Sequence, residues 1–265
     1  VIGRSVTAFI DLNCDMGESY GAYTIGGDEG VVSFITSANV ACGFHASDPS
    51  VMDRTVRLCQ KHGVAVGAHP GFPDRVGFGR RFMDIPGEDL INDVIYQVGA
   101  LRGFLDRYGL PLQHVKLHGA LYNYLVTQDE LLLMIAGELQ RCFDNPVFLT
   151  LGTGKSALLQ ERCRREGIRL ALEAFPDRRY TDDGELQSRR TPGAVLKDPQ
   201  EIARRAVDMA VRKGVESVSG RWLAMEIHTL CLHGDNRESM EAAALIHNAL
   251  REAGIRLRPL GEILP

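Results

Sequence analysis

The stretch Val115-Lys-Leu-His-Gly-Ala-Leu-Tyr-Asn123 decides how this chain folds. It starts as a strand and ends at a glycine turn. Side chains alternate along a strand, so Val115 and Leu117 point one way and Lys116 and His118 the other. One face is built to pack. The other carries a cation and an imidazole at the strand's C-terminal end. That division suits a parallel sheet whose outer face is covered by helices and whose inner face opens into a polar site at the carboxyl ends.

Working outward, the same scheme recurs. Residues 9–15 predict a first strand, with Ile10 and Leu12 on one face and Asp11, Asn13 and Asp15 on the other. A glycine-marked loop and a short helix at 28–35 lead to a second strand at 38–45, where Asn39, Ala41, Gly43 and His45 oppose Ala38, Val40 and Cys42. Asp48-Pro49 is an N-cap followed by a first-turn proline, and that helix closes at Gly63. The third strand, 64–69, sets Val64, Val66 and Ala68 opposite Ala65, Gly67 and His69. A loop at 70–86, rich in Gly, Pro and Arg, follows; such long loops are usually functional. Leu90, Val94, Val98, Leu101, Leu105 and Tyr108 step at three and four, which predicts a helix over 88–108 ended by Gly109.

Beyond the opening stretch, 129–142 reads as a helix, 147–151 as a strand, 155–166 as a helix and 170–175 as a strand with Glu173 opposite Leu170 and Leu172. A charged loop spans 176–197. Asp198-Pro199 caps a helix ending near 214, and 215–227 reads as a hairpin around Ser219-Gly220. The last long strand, 229–233, sets Leu230 and Leu232 opposite Cys231 and His233, before a closing helix at 236–253.

Strands alternate with helices, and all but the strand with Phe148 and Thr150 carry small, polar or ionisable residues opposite the aliphatic face. The pattern predicts an α/β protein: a single domain over residues 1–265, folded as a distorted parallel β/α barrel of about seven strands. A doubly wound open sheet is the runner-up. It concentrates its site at one switch point, whereas here nearly every strand has a polar inner face.

Composition agrees. The 265 residues, 45% hydrophobic and 24% charged, match one barrel of ordinary globular make-up. Thirty basic against 34 acidic residues, with no basic block, argue against a nucleic-acid surface. No apolar run approaches the roughly 18 residues of a membrane span, and no leader pattern is visible. Six scattered cysteines without a C-x-x-C pair read as reduced thiols of a cytoplasmic protein.

The strand-end residues are Asp11, Asn13, Asp15, His45, His69, Lys116, His118, Glu173 and His233, with Asp235 just beyond. A barrel brings them to one mouth. Any one of these histidines alone is more often a satisfied core residue; the shared phase makes the set a site. Carboxylates and imidazoles together bind a divalent metal or act as general acid and base. Glu173 near Lys116 predicts an ion pair that holds both groups charged.

Other motifs are weaker. His114 and His118 have metal-like spacing, but on a strand they lie about 13 Å apart and cannot share an ion. No metal-ligand set follows from spacing. Gly152-Thr-Gly-Lys-Ser156 resembles the end of a P-loop, but Leu149 stands where its first glycine belongs, so a strand-to-helix turn is the better reading. Cys231 faces inward and reads as a small core thiol rather than a nucleophile.

Six blocks carry a resemblance: Asp11-Leu-Asn-Cys-Asp-Met-Gly-Glu-Ser, Ala41-Cys-Gly-Phe-His-Ala-Ser-Asp-Pro, His69-Pro-Gly-Phe-Pro-Asp-Arg-Val-Gly-Phe-Gly-Arg-Arg, Lys116-Leu-His-Gly-Ala-Leu-Tyr-Asn, Glu173-Ala-Phe-Pro-Asp-Arg-Arg-Tyr and Cys231-Leu-His-Gly-Asp-Asn. In order and wording they resemble the signatures of the LamB/YcsF family. Leu117 and Pro176 depart from it, standing where Pro and Ala are typical.

The resemblance implies a barrel related to the polysaccharide-deacetylase fold. It also implies opening of the lactam of 5-oxo-L-proline to L-glutamate at the cost of ATP, together with 5-oxoprolinase subunits B and C. ATP would then be handled with the partner subunits, and a homo-oligomer stays open. On that reading Asp11 or Asp15, with His45 or His69, orients and deprotonates water. Lys116 and Arg178 hold a carboxylate or phosphate, with Asn13 beside them. His118 or His233 protonates the leaving nitrogen, and Glu173 and Asp235 orient their cationic neighbours. Two rivals belong to other classes: an ATP-independent, metal-dependent amide hydrolase or sugar deacetylase, and a non-catalytic substrate-binding subunit.

Overall fold

The computed structural model describes residues 8–232 and 237–264. In chain order the elements are β1 (Phe9–Met16), α1 (Asp28–Val31) running into a 3-10 turn (Val32–Phe34), β2 (Ser37–Ala41), α2 (Pro49–His62), β3 (Ala65–His69), α3 (Gly87–Tyr108) and β4 (Leu112–Lys116). Then come α4 (Gly119–Leu125), α5 (Asp129–Cys142), β5 (Val147–Leu151), α6 (Ser156–Arg165), β6 (Leu170–Ala174) and α7 (Pro199–Arg212). The chain continues with β7 (Gly214–Glu216), β8 (Trp222–Ala224), β9 (Thr229–Leu232), α8 (Arg237–Glu252), β10 (Arg256–Leu257) and α9 (Leu260–Ile263).

Strands β1 to β6 are neighbours in sequence order, β6 pairs with β9, and β9 returns to β1. The closed ring has seven parallel strands, as the alternation predicted. It has no free edge, which removes the row of unpaired backbone groups an open sheet would expose. Strand β10 adds two residues beside the start of β1, and β7 and β8 form the separate antiparallel hairpin.

Period-two alternation sorts the strand faces. Ile10, Leu12, Cys14 and Met16 are fully buried on one face of β1, while Asp11 and Asn13 are fully buried on the other. The outward faces pack against helices: α3 turns Leu90, Val94, Val98, Leu101 and Leu105 inward, and α2 turns Val51, Met52, Val56 and Cys59. Asp48 caps α2 by accepting from the amides of Ser50 and Val51, and Asp198 caps α7 by accepting from Gln200. Among the described residues, no helix is long and apolar enough to cross a membrane.

Two departures matter at the mouth. Strand β2 stops at Ala41 rather than reaching 45, because Gly43 and Ser47, at φ 97° and 72°, turn the chain and the Gly43 amide donates to the Ala46 carbonyl. His45 therefore enters from a loop. After β4, the glycine turn at Gly119 starts a short helix, α4, which the sequence did not signal and which buries Leu121, Tyr122 and Leu125.

Candidate active site

The barrel interior is layered, with strand-end residues stacked toward the carboxyl ends. Deepest is Asp11, whose carboxylate accepts from the hydroxyls of Thr36, Ser37 and Thr229. Burial pushes its carboxyl up to about 6, against the pull of those hydroxyls.

Above it lies a closed polar layer. Lys116 Nζ stands 2.8 Å from Glu173 Oε1, and donates to Asn13 Oδ1, Asp15 Oδ1 and Cys231 Sγ at 3.2 Å each. Asn13 Nδ2 donates to Glu173 and Thr229, and the Tyr122 hydroxyl donates to Glu173 Oε2 at 2.9 Å. Asn39 Nδ2 donates to Asn13 and Asp15, and its Oδ1 meets His114 Nε2 at 2.7 Å. The predicted Lys116–Glu173 pair is thus present, and wholly buried. Burial pulls the ammonium of Lys116 down, but Asp15, Cys231 and Glu173 outweigh it and hold the group well above the usual lysine range. Burial above all pushes the Cys231 thiol far up, which suits the core-thiol reading.

The outermost layer holds Asp15, Glu18, His45, His69 and His118. The Asp15 side chain keeps 25% of its surface exposed and is the accessible carboxylate beside Lys116. Burial pushes it up, but His69 and Lys116 overcome that and hold it well below the carboxylate range. Its Oδ2 lies 3.3 Å from His69 Nε2. His69 Nδ1 meets the Lys116 carbonyl at 2.8 Å, and His118 Nε2 meets the Phe78 carbonyl at 2.8 Å. The remaining nitrogens of these two rings, His69 Nε2 and His118 Nδ1, are 3.0 Å apart. His45 stacks on His118 with ring centroids 3.7 Å apart, and both its nitrogens are buried without a hydrogen-bond partner among the described residues. Burial, and then the neighbouring imidazoles, drive His118 down to about 3 and His45 well below the usual range. Burial, with Asp15 beside it, lifts Glu18 to about 7.

The loop after β3 forms a roof over these rings. Gln97 of α3 clasps the backbone of Gly71 from both sides, at 3.0 Å to its amide and 3.0 Å to its carbonyl. Phe78 takes a left-handed φ of 55°, which is costly for a bulky residue, and its carbonyl holds His118. Next to it Gly79, at φ 62°, lies so close that a Cβ there would stand 2.8 Å from His45 Cβ and 2.9 Å from His118 Cδ2. Glycine is required on both counts.

The structure therefore brings Asn13, Asp15, His45, His69, Lys116, His118 and Glu173 together. Asp11 faces inward two residues, about 7 Å, below Asn13, and is enclosed by hydroxyls. Arg178 is buried, with Nη2 donating to the Gln187 carbonyl at 2.5 Å, and lies near enough to Cys231 of the polar layer to interact with it electrostatically. His233 and Asp235 lie outside the described residues. Sequence reasoning did not single out Glu18, Asn39 or Tyr122. Glu18 sits inside the first of the six blocks, but in a loop, where strand phase says nothing about direction. His114 and His118 are indeed separated, His114 lying in the closed layer against Asn39. Gly152–Ser156 forms a strand-to-helix turn whose Ser156 Oγ accepts from the Thr153 amide.

The LamB/YcsF family model matches residues 10–265. This chain belongs to the LamB/YcsF family. The 5-oxoprolinase A-subunit of Pyrococcus furiosus is 46% identical over 256 residues, 96% of this chain and 99% of that protein. The corresponding A-subunit of Natranaerobius thermophilus is 47% identical over 252 residues, 95% of this chain and 97% of that one. Among solved structures, the lactam utilization protein of Thermus thermophilus superposes with a TM-score of 0.87 at 44% identity, covering 94% of this chain and 98% of that one. As a LamB/YcsF protein, the chain matches these relatives along nearly its whole length, the barrel mouth included.

Proposed function

We propose that this chain is the ring-opening subunit of an ATP-dependent 5-oxoprolinase, working on the lactam of 5-oxo-L-proline to give L-glutamate. The observation that carries the reading is the mouth itself: an accessible carboxylate, Asp15, fixed between a buried lysine and a histidine, on a chain 46% identical to a 5-oxoprolinase A-subunit.

A five-membered lactam is a resonance-stabilised amide, and its hydrolysis near neutral pH is uphill enough to need coupling. Phosphorylating the amide oxygen removes that resonance. Water then adds to the ring carbon, the C–N bond breaks as a proton passes to nitrogen, and a second water frees the γ-carboxyl from phosphate. The absence of a P-loop in this sequence supports assigning the phosphorylation to partner subunits B and C. Asp15, ionised by Lys116 and His69, is the base that orients and deprotonates water. Lys116, held by Glu173 and Asn13, presents its positive charge to the oxygen on which negative charge develops. His118 lies across His69 from Asp15; its Nδ1, 3.0 Å from His69 Nε2, takes up a proton through that contact and passes it to the leaving nitrogen.

The test is glutamate release from 5-oxo-L-proline by the purified chain, with and without ATP and the two partner subunits. Release only in the full mixture with ATP supports the reading. A full mixture that releases none, while the chain alone cleaves another amide, would replace it with the ATP-independent amide hydrolase.

A further inference from the structure

Two histidines of the mouth are wired in a way that neutral rings cannot satisfy. A carbonyl oxygen only accepts, so His69 must donate from Nδ1 to Lys116 and His118 must donate from Nε2 to Phe78. In a neutral imidazole the other nitrogen is then a lone pair. Those two lone pairs, His69 Nε2 and His118 Nδ1, point at each other across 3.0 Å. Such a contact repels unless a cation sits at it.

The surroundings supply the rest of a coordination sphere. Glu18 Oε1 lies 3.9 Å from His118 Nδ1. Both nitrogens of His45 are buried and unpartnered among the described residues, and one of them belongs to this cluster. One ligand atom from each of Glu18, His45, His69 and His118 falls within 4.8 Å of all the others. Ligands at roughly 2.0–2.1 Å around a tetrahedral ion stand about 3.4 Å apart, so filling a sphere here draws the four atoms together and turns the His45 ring off its stack on His118. The far nitrogens of His69 and His118 already rest on backbone carbonyls, the outer-shell contact that fixes tautomer and ring orientation in metal-ligating histidines. The ligands come from the ends of β1 to β4, and the glycine roof holds the rings from above.

We propose that Glu18, His45, His69 and His118 form a binding site for one divalent transition-metal ion of the zinc class. The donor set of three imidazoles and one carboxylate, without thiolate, favours Zn2+, Co2+ or Ni2+ over Mg2+ or Ca2+. An ion bound there would polarise a carbonyl or phosphoryl oxygen and acidify a bound water, beside the carboxylate of Asp15. With His118 held as a ligand, the ion would supply the acidity that the ring-opening reading assigns to that ring.

The experiment needs neither lactam nor ATP, so its failure and failure of the ring-opening reading are separable. The full chain, stripped with chelator, is titrated with Zn2+ by calorimetry and with Co2+ by visible absorption. The expected result is one equivalent bound, with a d–d spectrum of low-coordinate cobalt. His69→Ala and His118→Ala should each weaken binding at least about a hundredfold, while His62→Gln, on an exposed histidine, leaves it unchanged. Because buried substitutions can unfold the barrel, Glu18→Gln is measured beside them, with circular dichroism on every variant; it should keep the fold and weaken binding at least about tenfold. No stoichiometric binding by the wild type would overturn the site. Equal binding by folded Glu18→Gln and His69→Ala would overturn it too.

Discussion

The two upper layers of the barrel interior use similar residues for opposite ends. In the closed layer around Lys116, Glu173, Asn13 and Asn39, donors and acceptors are matched, and the charges are paired. In the mouth layer one step above, two imidazole nitrogens face each other across 3.0 Å and a third ring has both nitrogens unpartnered among the described residues. A satisfied buried network rigidifies; an unsatisfied one costs free energy unless something binds. The lower layer holds its own members in place, and the upper layer keeps polar atoms in reserve among the described residues.

Breaking the lower layer should have the largest effect. Lys116→Ala leaves Glu173 and Asp15 without their buried cation, and should cost about 3–5 kcal/mol of stability in chemical denaturation. A loss below about 1 kcal/mol would mean the layer is not the rigid floor described.

Asp11, deeper still, predicts a pH dependence. Its folded carboxyl holds a proton up to about 6 against an ordinary value of 3.8. Its contribution is therefore complete below the lower value and lost as pH rises through the higher one, a swing of roughly 3 kcal/mol. Between about pH 4 and 7 the wild type should lose more unfolding free energy than Asp11→Asn. Parallel curves would sink the assignment.

In the mouth layer stability and activity should separate. His118→Ala should leave the fold intact and lower glutamate release in the reconstituted complex at least about a hundredfold. Near-normal turnover would remove His118 from the reaction. The smallest effect belongs to Tyr122→Phe, which deletes one of the hydrogen bonds to Glu173 and should cost about 1 kcal/mol; a cost like that of Lys116→Ala would show that the pair depends on the phenol.

Much of this was legible in advance. Strand alternation put Asn13, Asp15, His69, Lys116 and Glu173 on inward faces, because period two leaves only two choices and the aliphatic residues claim one. The same reasoning put Asp11 on the inward face but left its depth open, because phase fixes a face and not a depth. It also kept His114 apart from His118, since a strand's rise is fixed. Arg178, Glu18 and His45 were harder. Each sits in a loop, and nothing in local sequence fixes where a loop side chain ends up.

Local sequence, then, determined by itself the seven-stranded alternation, the caps of α2 and α7, and the inward phase of the polar residues. These are short-range consequences of backbone geometry. Long-range packing alone set Asp11 below the polar layer, brought Tyr122 to Glu173, and gathered Glu18, His45, His69 and His118 within 4.8 Å of one another. Those outcomes depend on the closure of β9 onto β1 and on a roof loop clasped by Gln97, contacts between residues far apart in the chain.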